Sequence, residues 1–449
     1  MSDFDLVVKG RLAMDDAVLD NGWMAIRGER IAAVGQGEAP AARDLVDTGG
    51  DYILPGVIDG QTHAGSQFGF AGLERTTLSA IAGGVTTIVD MPYDQPDPVA
   101  TRGILRQKVD TANAVSHCDV ALYGTVAADP ILGDIEALAE DGVCAFKISS
   151  FENHPTRFPR IDNGAAMVLL QALASSDLPI GLHNEDETLI RRLTKQFISE
   201  GKTAPRFHHL SRPESAELLA TANFLELGRL TGAHVHIVHI SMPEGFRMVR
   251  RFADQGVRAT AEMCVHYLHF DAATDIDRLG ALMKVNPPIR AGHLDELWTL
   301  YGEGDYSFVS SDHSAWPLER KQAASIFDVA AGVPGLETLL PAFFSDVAGR
   351  ENADAAAIAC AGYLSSKPAR FFGLSRKGRL APGMDADFII LKAEPWRFDA
   401  TNTQDGLGWS PYDGETFAAK PLATYVRGTQ VWGDMVRGKK GHGRFVARG

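Results

Sequence analysis

Five residues in this chain each close a short apolar run, and each is of a type that binds metal ions or moves protons. His63 follows the apolar stretch 52–59, with Gln61 two positions before it. Side chains two apart on a strand point to the same side, so Gln61 and His63 address one point. Lys147 closes 143–146, His183 closes 178–182, His239 closes 235–238, and Asp312 closes 308–311. Neutral imidazoles and oxygen anions suit zinc, manganese or iron. A lysine ending a buried strand is costly unless paired or neutralised. Carboxylation by carbon dioxide would make Lys147 an anionic bridge between two metal ions; the plain alternative is a lysine that snorkels to solvent. Singly, each histidine reads as an ordinary core or surface residue and Asp312 as a helix cap. Their common placement argues for one site.

The elements that must position these residues alternate. Buried strands are expected near 85–90, 120–123, 145–148, 180–183, 235–239 and 308–311, separated by helical stretches. Such alternation implies a parallel α/β core. Polar residues at the strand ends fit a (β/α)8 TIM-type barrel, whose active site lies at the C-terminal ends of its strands. Residues 1–54 and 378–449 read instead as short strands and turns. Neither segment has enough strands for a stable sheet, so the two termini are expected to pair into one small β-sandwich. The expected domains are therefore a sandwich from 1–54 and 378–449 and a barrel from 55–377.

The composition excludes several classes. The 449 residues are 45% hydrophobic and 22% charged, with a net charge of -14. That balance argues against nucleic acid or an anionic membrane as partner. No apolar run approaches the roughly 20 residues of a membrane span. The segment Met1-Ser2-Asp3-Phe4-Asp5 carries no basic-then-apolar pattern, so no signal peptide is expected. Cys118, Cys144, Cys264 and Cys360 are widely spaced. They read as reduced thiols in a cytoplasmic protein.

Longer motifs narrow the reading. Gly83-Gly84-Val85-Thr86-Thr87-Ile88-Val89-Asp90-Met91-Pro92, Glu262-Met263-Cys264-Val265-His266-Tyr267-Leu268, Asn286-Pro287-Pro288-Ile289-Arg290 and Ser311-Asp312-His313-Ser314 stand in that order. With Lys367 to Leu374 and Gly378 to Asp387, the chain resembles the cyclic amidohydrolases: hydantoinases, dihydropyrimidinases, allantoinases and dihydroorotases. The resemblance implies a hydrolase that opens a ring C–N bond of a cyclic amide, imide or ureide with a hydroxide activated by metal. It implies one metal on a His-x-His pair, the carboxylated lysine and the aspartate, and a second on the lysine and two histidines. Here the second set, Lys147, His183 and His239, is intact. The first has His63, Lys147 and Asp312 but Gln61 in place of an imidazole, so that site is expected to be weak or lost. The resemblance makes Asp312 the catalytic proton shuttle. It also implies one or two divalent metals per subunit, zinc or manganese, and a homo-oligomer, by resemblance a tetramer.

Substrate residues are less marked. The tyrosine that hydantoinases carry five residues after the lysine is Glu152 here, beside Phe151. The arginine that dihydroorotases place two residues after His-x-His is Gly65. These departures argue against dihydroorotase. Phe151, Glu152, Asn286, Arg160 and Trp316 are the substrate-binding candidates, with Phe68, Phe70 and Arg157 nearby. The alternatives are a metal-depleted scaffold or assembly protein, which Gln61 admits and the retained Lys147, His183, His239 and Asp312 argue against, and a linear-amide hydrolase or a ring deaminase, the deaminase being the one Lys147 argues against.

Overall fold

A computed structural model describes residues 3–449; Met1 and Ser2, on which part of the leader reading rests, lie outside the described residues. Eight parallel strands form the barrel. The first six are Val57–His63, Val85–Asp90, Asp119–Gly124, Ala145–Ser149, Ile180–His183 and Val235–Ile237. The seventh runs Ala259–Ala261 then Met263–Cys264, and the eighth Val309–Ser310 then His313–Ser314. Closure comes from His313 and Ser314 pairing with Thr62 and His63. Strands such as Val85–Asp90 and Asp119–Gly124 are buried along their whole length. Both faces are covered, which is why they read as near-continuous apolar runs.

Helices alternate with the strands, and caps set where several begin. Thr101 accepts from Ile104 N, Asp162 from Ala165 N, and Asp186 from Leu189 N. Each satisfies an otherwise orphaned amide of a first turn. Asp186 is three residues past His183, so the chain turns sharply from the fifth strand into its helix.

The termini form one seven-stranded sheet in which Ala42–Pro55 is the hinge element. It pairs in parallel with Phe4–Ala13 and antiparallel with Phe388–Lys392. The sheet encloses a core drawn from both ends of the chain, including Val8, Met24, Ile53, Phe388 and Tyr425. The C-terminal segment does not stay in this sheet. Trp396–Arg397 and Thr416–Phe417 form a separate hairpin, with Phe398, Trp409 and Phe417 packed into the barrel core. Val120 and Phe445 form a parallel bridge at the start of the third strand.

A buried ion cluster joins sheet to barrel. The Lys377 ammonium lies 2.6 Å from Asp119, 2.6 Å from Asp387 and 3.0 Å from Asp385. Arg427 also contacts Asp119. The three carboxylates are close enough together to hold a metal ion; the cation they hold is Lys377. Removing one partner from a buried pair leaves uncompensated charge and costs about 3–5 kcal/mol. Lys377→Met is therefore expected to lower the unfolding free energy read from chemical denaturation by an amount in that range, with a lower midpoint. An unchanged midpoint would show that the cluster does not fasten the sheet to the barrel.

Candidate metal centre and active site

The candidate ligands gather toward one end of the barrel, on or just beyond five of its strands. Gln61 and His63 project from the end of the first strand, and Lys147 sits inside the fourth. His183 ends the fifth. His239 lies two residues beyond the sixth, with φ 40°, and Asp312 lies in the break of the eighth, with φ 50°. Non-glycine residues rarely adopt positive φ, and such strain gathers at functional sites. The break in the eighth strand is held by Asp59, which accepts from Ser311 N and Ser311 Oγ, both at 2.7 Å.

Two halves can be distinguished. In one, His183 Nδ1 and His239 Nε2 face each other at 3.0 Å. His183 Nε2 meets Glu185 Oε2 at 2.9 Å. Burial alone would raise the Glu185 carboxyl, but Arg212 and His183 outweigh it and hold its pKa at about 2. The ionised Glu185 therefore accepts a hydrogen bond from Nε2–H, the tautomer that leaves Nδ1 bare. This is the carboxylate–histidine arrangement that orients metal-binding imidazoles. Burial pushes both histidines down, toward the neutral form that binds metals. His239 Nδ1 has no hydrogen-bond partner among the described residues. Lys147 is buried, and its Nζ makes no hydrogen bond with a described residue. Burial pushes the Lys147 ammonium down against the opposing pull of Asp312 and Glu262. A neutral amine is the form that adds carbon dioxide.

This half fits a divalent metal. Zinc bonds of about 2.0–2.1 Å to imidazole place two tetrahedral ligands about 3.3 Å apart, close to the observed spacing. The other half is occupied differently. Gln61 Nε2 donates to Asp312 Oδ1 at 2.7 Å. His63 Nε2 lies 3.3 Å from the same oxygen, and His63 Nδ1 lies 3.2 Å from Ser66 Oγ. Burial would raise the Asp312 carboxyl, but His63, His239 and Lys147 overcome it and hold it below the usual carboxylate range. Both contacts use Oδ1 and leave Oδ2 without a partner among the described residues.

The centre opens into a cavity of about 500 Å³. Gln61, His63, Lys147, His183, His239, Asp312, Asn286 and Trp316 all line it, as expected. Phe151, Glu152 and Arg160 do not. Phe151 lies under Arg212 at 4.7 Å and faces a neighbouring groove beside Ile190 and Ile198. Glu152 reaches Arg191 at 3.4 Å, and Arg160 reaches Glu187 at 3.4 Å. Phe68 is partly exposed beneath Arg75. The sequence reading missed Tyr93 and Phe158, which stack with centroids 3.5 Å apart and 16° between planes. The Phe158 ring stands edge-on to His183. Their signal was positional: each follows a barrel strand, where the active-site loops lie.

The amidohydrolase family model matches residues 52–431. The chain belongs to that family. Within it the likeness is to the cyclic amidohydrolases. The allantoinase of Rubrobacter xylanophilus is 32% identical, covering 99% of this chain and 98% of its own. That of Deinococcus radiodurans is 31% identical over 95% of both chains. Among solved structures, the L-hydantoinase (dihydropyrimidinase) of Arthrobacter aurescens superposes with a TM-score of 0.93 at 29% identity, covering 99% of this chain and 100% of its own. This amidohydrolase is thus a hydrolase of C–N bonds in cyclic amides, of a metal-dependent family.

Proposed function

We propose that this amidohydrolase opens the ring of a cyclic ureide of the allantoin or hydantoin kind, using one tightly held divalent metal, most readily zinc, at Lys147, His183 and His239. The observation that carries the one-metal reading is the hydrogen bond from Gln61 to Asp312. Where the family resemblance implies an imidazole, this chain has an amide that donates one N–H to the aspartate. The full-length likeness to allantoinases and to an L-hydantoinase supports the ring chemistry.

When bound, the metal supplies Lewis acidity and lowers the pKa of water. The protein supplies the rest. Glu185 fixes the His183 tautomer. Gln61 and His63 hold Asp312 by Oδ1, so that Oδ2 takes the proton of the attacking water and delivers it to the departing ring nitrogen. The Tyr93–Phe158 stack forms an apolar wall beside His183 and limits water at the reacting carbonyl. Carboxylation of Lys147 adds an anionic oxygen ligand and removes the cost of a buried ammonium. By likeness to the family we also infer a homo-oligomer. Four buried, unpaired cysteines fit a reducing, cytoplasmic setting.

The test is metal content together with ring opening. As isolated, the protein is expected to carry about one metal per chain and to open allantoin or a hydantoin. Gln61→His removes the amide donor and restores an imidazole, so metal content is expected to rise toward two. Two metals in the parent would refute the one-metal reading. No metal, and no ring opened by either protein with zinc or manganese, would leave the scaffold alternative.

A further inference from the structure

In a chain of net charge -14, basic side chains outnumber carboxylates along the cavity wall. Lys147, Arg157, Arg212, Lys284 and Arg320 line it against a single carboxylate, Asp312. Most of this charge is committed. Lys147 belongs to the metal centre. Arg212 is paired with Glu185, and Lys284 Nζ donates to the carbonyls of Ile326 and Val329, each at 2.6 Å. Arg320 is exposed and lies over the Trp316 ring. Arg157 is different. It is half-buried, and its Nη1 donates to Ser66 O at 3.0 Å. It has no carboxylate within ion-pair distance among the described residues. The acid nearest in effect, Asp94, is taken by Lys108 at 2.7 Å.

The backbone holds Arg157 in place. His154 and Phe158 bond to each other through both main-chain pairs at 3.1 Å, and His154 Nδ1 accepts from Arg157 N at 3.2 Å. Arg157 therefore sits at the tip of a closed turn, next to the Phe158 ring. The backbone it touches follows Gly65, where any side chain would collide with Asp94 Oδ1. That position can carry no anchoring group of its own, and the cation reaches this wall from another loop.

We infer that Arg157 is a specificity anchor for a carboxylate borne by the substituent of the ring substrate, so that the favoured substrates are acidic cyclic ureides. A guanidinium with free N–H groups matches a carboxylate two bonds at a time. The inference rests on the ring-opening reading above.

The experiment compares 5-carboxymethylhydantoin with its neutral isostere 5-carbamoylmethylhydantoin, by kcat/KM and by calorimetric binding to the zinc-loaded protein. The parent is expected to favour the acid by about tenfold or more, the usual scale of a charge-assisted hydrogen bond. Arg157→Gln should bring that ratio near one, Arg157→Lys should keep part of it, and Arg160→Gln, outside the cavity, should leave it alone. A thermal melt of each variant checks folding. A parent ratio near one, or a ratio unchanged by Arg157→Gln, overturns the anchor. If Arg157→Gln weakens acid and amide equally, and weakens inhibition by the ring-opened product, the guanidinium serves the product carboxylate and the inference is wrong. Ring opening without acid preference refutes the anchor alone. Acid-selective binding without ring opening refutes the ureide reading and leaves the anchor standing.

Discussion

Lys147→Ala is expected to remove metal and turnover together. Lys147 is buried between the two halves of the centre, and no described residue can take over its position. Losing an outer partner of a metal ligand typically costs 10–100-fold in affinity or activity, and loss of a proposed ligand itself should exceed that. The measurement is metal per chain by elemental analysis beside the ring-opening rate. Acetate or propionate at high concentration should restore part of both, because on the proposed carboxylation a small carboxylate would occupy the space of the carbamate. An alanine variant with unchanged metal content and rate would remove Lys147 from the centre.

Asp312→Asn should separate proton transfer from architecture. An asparagine placed with its oxygen toward Gln61 still accepts the Nε2 hydrogen bond, so the break in the eighth strand and its clamp by Asp59 should persist. The amide cannot take a proton from water. General acid–base groups contribute roughly 10²–10⁴-fold, and turnover is expected to fall by at least that much while the thermal midpoint changes little. A variant within a few-fold of the parent rate would show that Asp312 is not the shuttle, and attention would move to His63, its neighbour at 3.3 Å.

Most of the barrel was legible because parallel strands covered on both faces must be apolar throughout, and a polar residue at the end of such a run is conspicuous. Val85–Asp90 and Asp119–Gly124 are of this kind. The candidate ligands that line the cavity were legible for the same reason. The seventh and eighth strands were less so, since each is broken into two- or three-residue pieces. His239 was expected at a strand end and instead stands beyond it in a left-handed conformation. Ala42–Pro55 was not read as a strand, because Asp47, Gly49, Gly50 and Asp51 look like a turn. The loop after the fourth barrel strand was least legible. Arg157 and Arg160 are three residues apart and chemically alike, yet only Arg157 faces the cavity. Loop residues have no periodicity to fix their direction. The turn closed by His154 and Phe158 decides it, and no pattern in the letters announces that turn.

The interleaving of the two termini bears on how the molecule is made. Tyr52, Ile53 and Leu54 take their antiparallel partners from the strand that begins at Phe388. During synthesis at roughly 5–20 residues per second, that strand leaves the ribosome on the order of tens of seconds after them. Until then an apolar strand edge has nothing to pair with, and unpaired edges template association between chains. The nascent protein must therefore carry an adhesive N-terminal half-sheet while the whole barrel is being translated. A chain stalled or cut before residue 388 retains that exposed edge, so truncated products are expected to aggregate rather than persist as a soluble barrel.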